Sequence, residues 1–107
     1  MNIPQRRPEL SVVVTLIDDR GKTAECVASW TRGQTLSRER YEVVVVTSGR
    51  ERDIAAIATP LLGGGDRLLT HVASNELALF DHGARQARGQ WLVFTEAHCA
   101  AAPDCLA

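Results

Sequence analysis

The residues best suited to chemistry are Glu96 and His98, separated by Ala97 at the end of the apolar run Trp91-Leu92-Val93-Phe94. In an extended chain, side chains two apart project to one side. A carboxylate oxygen and an imidazole nitrogen would then converge on one cation while Ala97 faces the other way. Magnesium prefers all-oxygen shells whereas manganese also accepts imidazole, so the mixed pair leans toward manganese. The alternative is a solvated turn, because polar residues commonly end strands. Asp18 and Asp19 follow another apolar run and suit either ribose or base contacts or the capping of a helix. Ser48 carries the same two readings. His98, Cys99 and Cys105, with His71 and His82, match no usual zinc spacing. No serine-histidine-acid or cysteine-histidine nucleophile can be assigned.

These residues need a scaffold, and the apolar patterning supplies one. Leu10 to Ile17 is β-branched and nearly continuous, the pattern of a strand buried on both faces. Ala24, Val27, Ala28 and Thr31 recur at helical steps between Lys22 and about Arg32, with Gly33 as a C-cap. Tyr41 to Val46 is a second buried strand. Ser48 and Glu51 have capping-box spacing for a helix carrying Ile54, Ile57, Ala58 and Leu61 inward, with Pro60 ending or bending it. Gly63-Gly64-Gly65-Asp66 neither follows a strand nor opens a helix, so it reads as a connection rather than a phosphate cradle. It leads into a short strand, Arg67 to Val72. Ser74 or Asn75 caps a helix whose inner face is Leu77, Phe80, Ala84 and Ala87, ending near Gly89, and Trp91 to Thr95 is the fourth strand. This alternation predicts a three-layer α/β fold with a mainly parallel sheet. In such sheets ligands lie beyond the carboxyl ends of the strands, where Asp18-Asp19, Thr47-Ser48-Gly49 and Glu96-Ala97-His98 fall.

Length and charge narrow the function classes. The 107 residues, 45% hydrophobic and without an internal linker, suit one domain, 1–107. Twelve Lys+Arg against 13 Asp+Glu, net −1, supply no long-range attraction to nucleic acid or to an acidic membrane surface. The longest apolar runs fall far below the roughly 20 residues that span a bilayer, and the polar start MNIPQRRPEL has no signal-peptide hydrophobic segment. Three cysteines without a CxxC pair fit a reducing compartment. A cytoplasmic chain is the expectation, with membrane association only through parts or partners outside it.

The segments together resemble the N-terminal half of the family 2 glycosyltransferases. The carrying residues are Ser11-Val12-Val13-Val14 with Asp18 and Arg20-Gly21-Lys22-Thr23, then Tyr41 to Val46 with Gly49. Gly83-Ala84-Arg85 with Ala87-Arg88-Gly89 follow, and Trp91 to Phe94 with Glu96-Ala97-His98-Cys99 and Pro103-Asp104 complete the set. The resemblance implies the A-type nucleotide-sugar-binding fold with a four-stranded sheet of order 3-2-1-4, so that Asp18 and Glu96/His98 border one cleft. It implies binding of a nucleoside-diphosphate sugar through Mn2+ or Mg2+. Inverting transfer to an acceptor hydroxyl of a glycan, lipid or small molecule would follow. Glu96-Ala97-His98 stands where the family has Asp-x-Asp. Thr47-Ser48 replaces its acidic pair, and Phe80-Asp81 stands at its Arg-Asn pair, which adds Asp81 to Asp18, Asp19 and Ser48 as candidate donor contacts. The acceptor half and catalytic base of the family have no counterpart up to Ala107. The expectation is a donor-binding half, inactive alone. The alternative is a non-catalytic interaction module that forms homo-oligomers through the face the missing half would cover.

Overall fold

The computed structural model describes residues 7–73 and 75–107. Four strands, β1 (Leu10–Thr15), β2 (Tyr41–Thr47), β3 (Arg67–Thr70) and β4 (Trp91–Glu96), alternate with three helices, α1 (Thr23–Thr31), α2 (Arg52–Ala58) and α3 (Glu76–Gln86). Every strand pairing is parallel and the order is β3-β2-β1-β4, as the sequence predicted. The valine runs explain the sheet's centre. Val12, Val13, Val14 and Val43 to Val46 are all at 0% exposure, because β1 and β2 are covered on both faces.

The alternation of side chains sorts them into two cores. Val12, Val14, Leu16, Val43 and Val45 face α1 through Cys26, Val27 and Trp30, and α2 through Ala58. Val13, Val44 and Val46 face α3 through Leu79. The result is the expected three-layer arrangement, with α1 and α2 on one side and α3 on the other.

Two helix faces differ from the sequence expectation. Leu77 is 80% exposed, and α3 instead turns Leu79 and Gly83 inward. The reason is contact distance: a Cβ on Gly83 would lie 2.5 Å from Val13 Cγ1 and 3.0 Å from Val46 Cγ2, so the glycine is where α3 touches the sheet. A pattern of large apolar residues overlooks a face whose closest point has no side chain. In α2, Ile57 lies outward while Ile54 and Ala55 pack on the core with Ala58. Pro60 does act as expected, since α2 gives way at Thr59 to a 3-10 turn ending at Leu61. The glycine run is a turn in which Gly63 N–H donates to the Asp66 carboxylate, and Asp66 also accepts from Val43 N–H. Ser74 lies outside the described residues; Asn75 caps α3 by accepting from Ala78 N–H at 2.9 Å.

The fourth strand is not buried as β1 and β2 are. Among the described residues it pairs only with β1, and Trp91, Leu92 and Phe94 are 66%, 41% and 50% exposed. Phe94 is held on one side by an edge-to-face contact with Phe80 of α3, with centroids 5.3 Å apart. Among the described residues no helix is long and apolar enough to cross a membrane.

Candidate functional site

The site forms where β1 and β4 end side by side. Thr15 pairs with Glu96, and Ala97 N–H donates to the Thr15 carbonyl, so the segments beyond both strands start level with each other. Beyond β4 the chain does not stay extended. Glu96 to Cys99 is a β-turn closed by Cys99 N–H donating to the Glu96 carbonyl at 3.1 Å. Ala97 enters the core at 0% exposure. The Cys26 thiol, also buried, lies 3.5 Å from the Glu96 carbonyl and supports the turn from below. Burial, followed by the influence of Cys99, pushes the Cys26 thiol up to about 11, so it stays protonated at neutral pH.

The turn brings Glu96 and His98 together, with Glu96 Oε2 and His98 Nε2 3.1 Å apart. The convergence anticipated from their spacing is present, but the turn rather than an extended strand produces it. It therefore also gathers Cys99, and one ligand atom from each of Glu96, His98 and Cys99 falls within 4.8 Å of the others. Cys99 had no zinc-like spacing to reveal it.

The imidazole has a defined orientation. His98 Nδ1 is 3.2 Å from the Asp18 carbonyl, and since a carbonyl oxygen only accepts, Nδ1 carries the proton. In neutral His98 the Nε2 lone pair would then face the Glu96 carboxylate. Two such acceptors at 3.1 Å are positioned to share a proton or a cation between them. The donor set of carboxylate, imidazole and thiol fits such a cation.

Asp18 thus reaches the site through its backbone. It has φ +56° and Arg20 has φ +52°, both in the left-handed region, which turns the 18–21 loop back toward His98. The Asp18 carboxylate pairs with Arg20 at 3.2 Å. That pairing, by hydrogen bond first and then by charge, raises the Arg20 pKa, with smaller contributions from Glu96 and Cys99, so Arg20 brings positive charge to the same edge. The N-cap of α1, Lys22, makes no side-chain capping bond, and Asp19 instead turns its carboxylate to Thr23 in the first turn. It accepts from Thr23 Oγ1 at 2.7 Å, and this bond, outweighing partial burial and aided by the Gly21 and Thr23 amides, lowers its pKa.

Glu76 is a site residue that the sequence reading missed. Burial at the first turn of α3 raises its pKa, and the neighbouring Glu96 carboxylate raises it further. No local spacing links positions 76 and 96; only the docking of α3 on the sheet joins them.

At the end of β2, Glu51 occupies the ground that Thr47 and Ser48 define. Its Oε2 accepts from Thr47 Oγ1 at 2.8 Å, Ser48 Oγ at 2.6 Å and Ser48 N–H at 3.0 Å. The capping-box pair is therefore in contact, although α2 begins only at Arg52. Burial alone would raise the Glu51 pKa, but the Ser48 and Thr47 bonds outweigh it and hold the carboxylate below its ordinary range. A groove of about 320 Å³ lined by Thr47, Gly49, Arg52, Ala55, Leu68 and Thr70 opens beside it. Asp81 lies elsewhere on α3, in an exposed ion pair with Arg85 at 2.9 Å.

This topology, with its polar edge, agrees with the comparison to known families. Residues 11–107 match glycosyl transferase family 2. The chain belongs to that family. No curated protein sequence matches it. Among solved structures, the crystal structure of S. aureus TarS 1-349 in complex with UDP aligns with TM-score 0.71 and 18% identity over 92% of this chain and 30% of that one. The structure of S. aureus TarS aligns with TM-score 0.69 and 18% identity over 90% of this chain and 18% of that one. The family 2 chain described here thus spans less than a third of either solved chain, and the likeness establishes its fold as the A-type glycosyltransferase architecture.

Proposed function

We propose that this chain is the donor-binding part of a glycosyltransferase, holding a nucleoside-diphosphate sugar through a divalent cation for inverting transfer of the sugar to an acceptor hydroxyl. The observation that carries the reading is the approach of Glu96 and His98 to 3.1 Å at the carboxyl edge of β4, with the ring fixed by the Asp18 carbonyl. Glu96 and His98 would hold the cation, and that carboxylate–imidazole pair by itself favours manganese over magnesium. A bound cation supplies charge neutralisation for a leaving diphosphate. Arg20 adds positive charge on the same side, and the 18–21 loop at the end of β1, with Ser48 at the same edge of the sheet, would offer polar groups to a ribose or base. No residue of this chain is assigned as the base that deprotonates the acceptor.

Titration calorimetry with UDP, ADP and GDP, with and without Mn2+, tests this. Manganese should tighten binding of at least one nucleotide tenfold or more, and Glu96→Ala or His98→Ala should abolish that gain. Equal affinity with and without manganese would remove the cation from the reading.

The exposed apolar side chains of β4 favour a second reading, a non-catalytic module that self-associates through Trp91, Leu92 and Phe94. A concentration-dependent dimer by light scattering, with no nucleotide bound under any condition, would select it.

A further inference from the structure

The β-turn at Glu96–Cys99 places a thiol beside the carboxylate–imidazole pair, and this alters which ion the site selects. We propose that Cys99 is a third metal ligand and that the site is selective for thiophilic divalent ions of the zinc class. The inference rests on the reading that Glu96 and His98 hold a cation, and it changes the identity of the ion.

Three features support a site built for such an ion. Ligand atoms of three chemical kinds, oxygen, nitrogen and sulfur, lie within 4.8 Å of one another. Ligands on a tetrahedral zinc sit roughly 2.0 to 2.3 Å from the ion, so neighbouring ligand atoms are roughly 3.3 to 3.8 Å apart. The Glu96–His98 separation of 3.1 Å is already close to that, and Cys99 is exposed, so rotation of its side chain can close the remaining distance of about 1 Å. Second, His98 is held as a metal-binding histidine usually is, with its other ring nitrogen donating to a backbone carbonyl, here that of Asp18 at 3.2 Å. This fixes the ring and leaves Nε2 as the coordinating atom. Third, the turn is anchored on both sides, by Ala97 in the core and by the Cys26 thiol at the Glu96 carbonyl. The three ligand side chains therefore project from a supported backbone.

Three protein ligands leave a fourth tetrahedral position for an oxygen of the bound nucleotide or for water. Manganese and magnesium gain little from sulfur, whereas zinc, cadmium and cobalt(II) gain a strong bond once the thiol has lost its proton. Tighter zinc than manganese binding alone would not distinguish the proposal, since that order holds for most nitrogen–oxygen sites. The distinguishing property is the dependence on Cys99.

The test uses the chain titrated with Co2+, Zn2+ and Mn2+, as wild type and as Cys99→Ser and Cys105→Ser. The expected result is a thiolate-to-cobalt charge-transfer absorption in wild type that Cys105→Ser keeps and Cys99→Ser loses. Zinc affinity should fall at least tenfold in Cys99→Ser while manganese affinity is unchanged. On the unaltered protein, Zn2+ should protect Cys99 from alkylation, read by mass spectrometry, which keeps the test independent of how the variants fold. Cobalt bound without the charge-transfer band, an equal loss of zinc and manganese in Cys99→Ser, or no protection by zinc would each overturn the inference. Manganese-dependent nucleotide binding in the absence of that thiolate signature would leave the proposed function standing. The signature without any metal-dependent nucleotide binding would do the reverse.

Discussion

Two glutamates on the same face of the sheet, Glu42 at one end and Glu96 at the other, show how context separates a structural carboxylate from a candidate site carboxylate. Both lie on the side covered by α3, Glu42 near its carboxyl end and Glu96 near its first turn. Glu42 is 3% exposed and its oxygens are fully engaged: they accept from Ser11 Oγ at 2.6 Å, Arg88 N–H at 2.6 Å and Arg67 Nη2 at 3.1 Å. Ser11 in turn accepts from Gly89 N–H at 2.8 Å, and Arg67 also donates to the Gln86 carbonyl at 2.6 Å. The network ties the end of α3 to β1, β2 and β3. Gly89 is required there, since a Cβ would lie 2.6 Å from the Leu10 carbonyl carbon. Glu96 instead is 44% exposed and meets another carboxyl and an imidazole rather than a set of donors. A saturated carboxylate holds a fold together; one facing other acceptors is the place where the proposed cation would be held.

The largest effect should therefore come at Glu42. Removing one partner of a buried ion pair costs about 3–5 kcal/mol, so Glu42→Ala should lose stability on that scale in urea denaturation. Glu96→Ala should leave the unfolding free energy from urea denaturation within about 0.5 kcal/mol of wild type while removing the proposed cation binding. Similar losses at both sites would break the contrast.

The strand framework was legible because β1 and β2 are uninterrupted valine-rich runs, and full burial on two faces leaves few other arrangements. Glu96 and His98 were legible because they are near neighbours at a strand end. Cys99 was missed because its position depends on a turn closing, and Glu76 because its meeting with Glu96 depends on tertiary docking of α3. The inward face of α3 was misread for a related reason: Gly83 makes its contact by lacking a side chain, which apolar periodicity does not register. Asp19 and Asp18 look alike in sequence, yet one carboxylate accepts from the Thr23 hydroxyl at the start of α1 while the other residue reaches the site through its carbonyl.

Glu51 lies between the two extremes, partly buried and rich in donors, and its effect should be intermediate. Its folded-state pKa is depressed, so the stabilisation is present above the ordinary glutamate range and is lost as pH falls through the lower folded value. Glu51→Gln should cost about 1 kcal/mol at neutral pH, the worth of a charge-assisted hydrogen bond at a partly exposed site. The difference from wild type should shrink as the pH is lowered below about 4.3. A constant difference down to pH 3 would mean that packing rather than charge holds the Thr47-Ser48-Glu51 cluster.

A small effect of opposite sign belongs to Glu76. Its pKa is raised, first by burial and then by the Glu96 carboxylate, so the folded chain binds that proton more tightly than the unfolded chain. Stability from this group is full below the ordinary glutamate pKa of about 4.3 and is lost as pH rises through the folded value. Glu76→Gln removes the like charge, keeps a hydrogen-bond donor for Glu96, and should raise the unfolding free energy from urea denaturation at pH 7 by under about 1 kcal/mol. At pH 3 the two proteins should unfold together. If Glu96 and His98 hold a cation as proposed, adding it should also narrow the difference at pH 7, because that ion would relieve the same repulsion in wild type. A gain that persists unchanged at pH 3 would assign the effect to helix propensity at the start of α3, and Glu96 would then lose the electrostatic tension that sets it apart from Glu42.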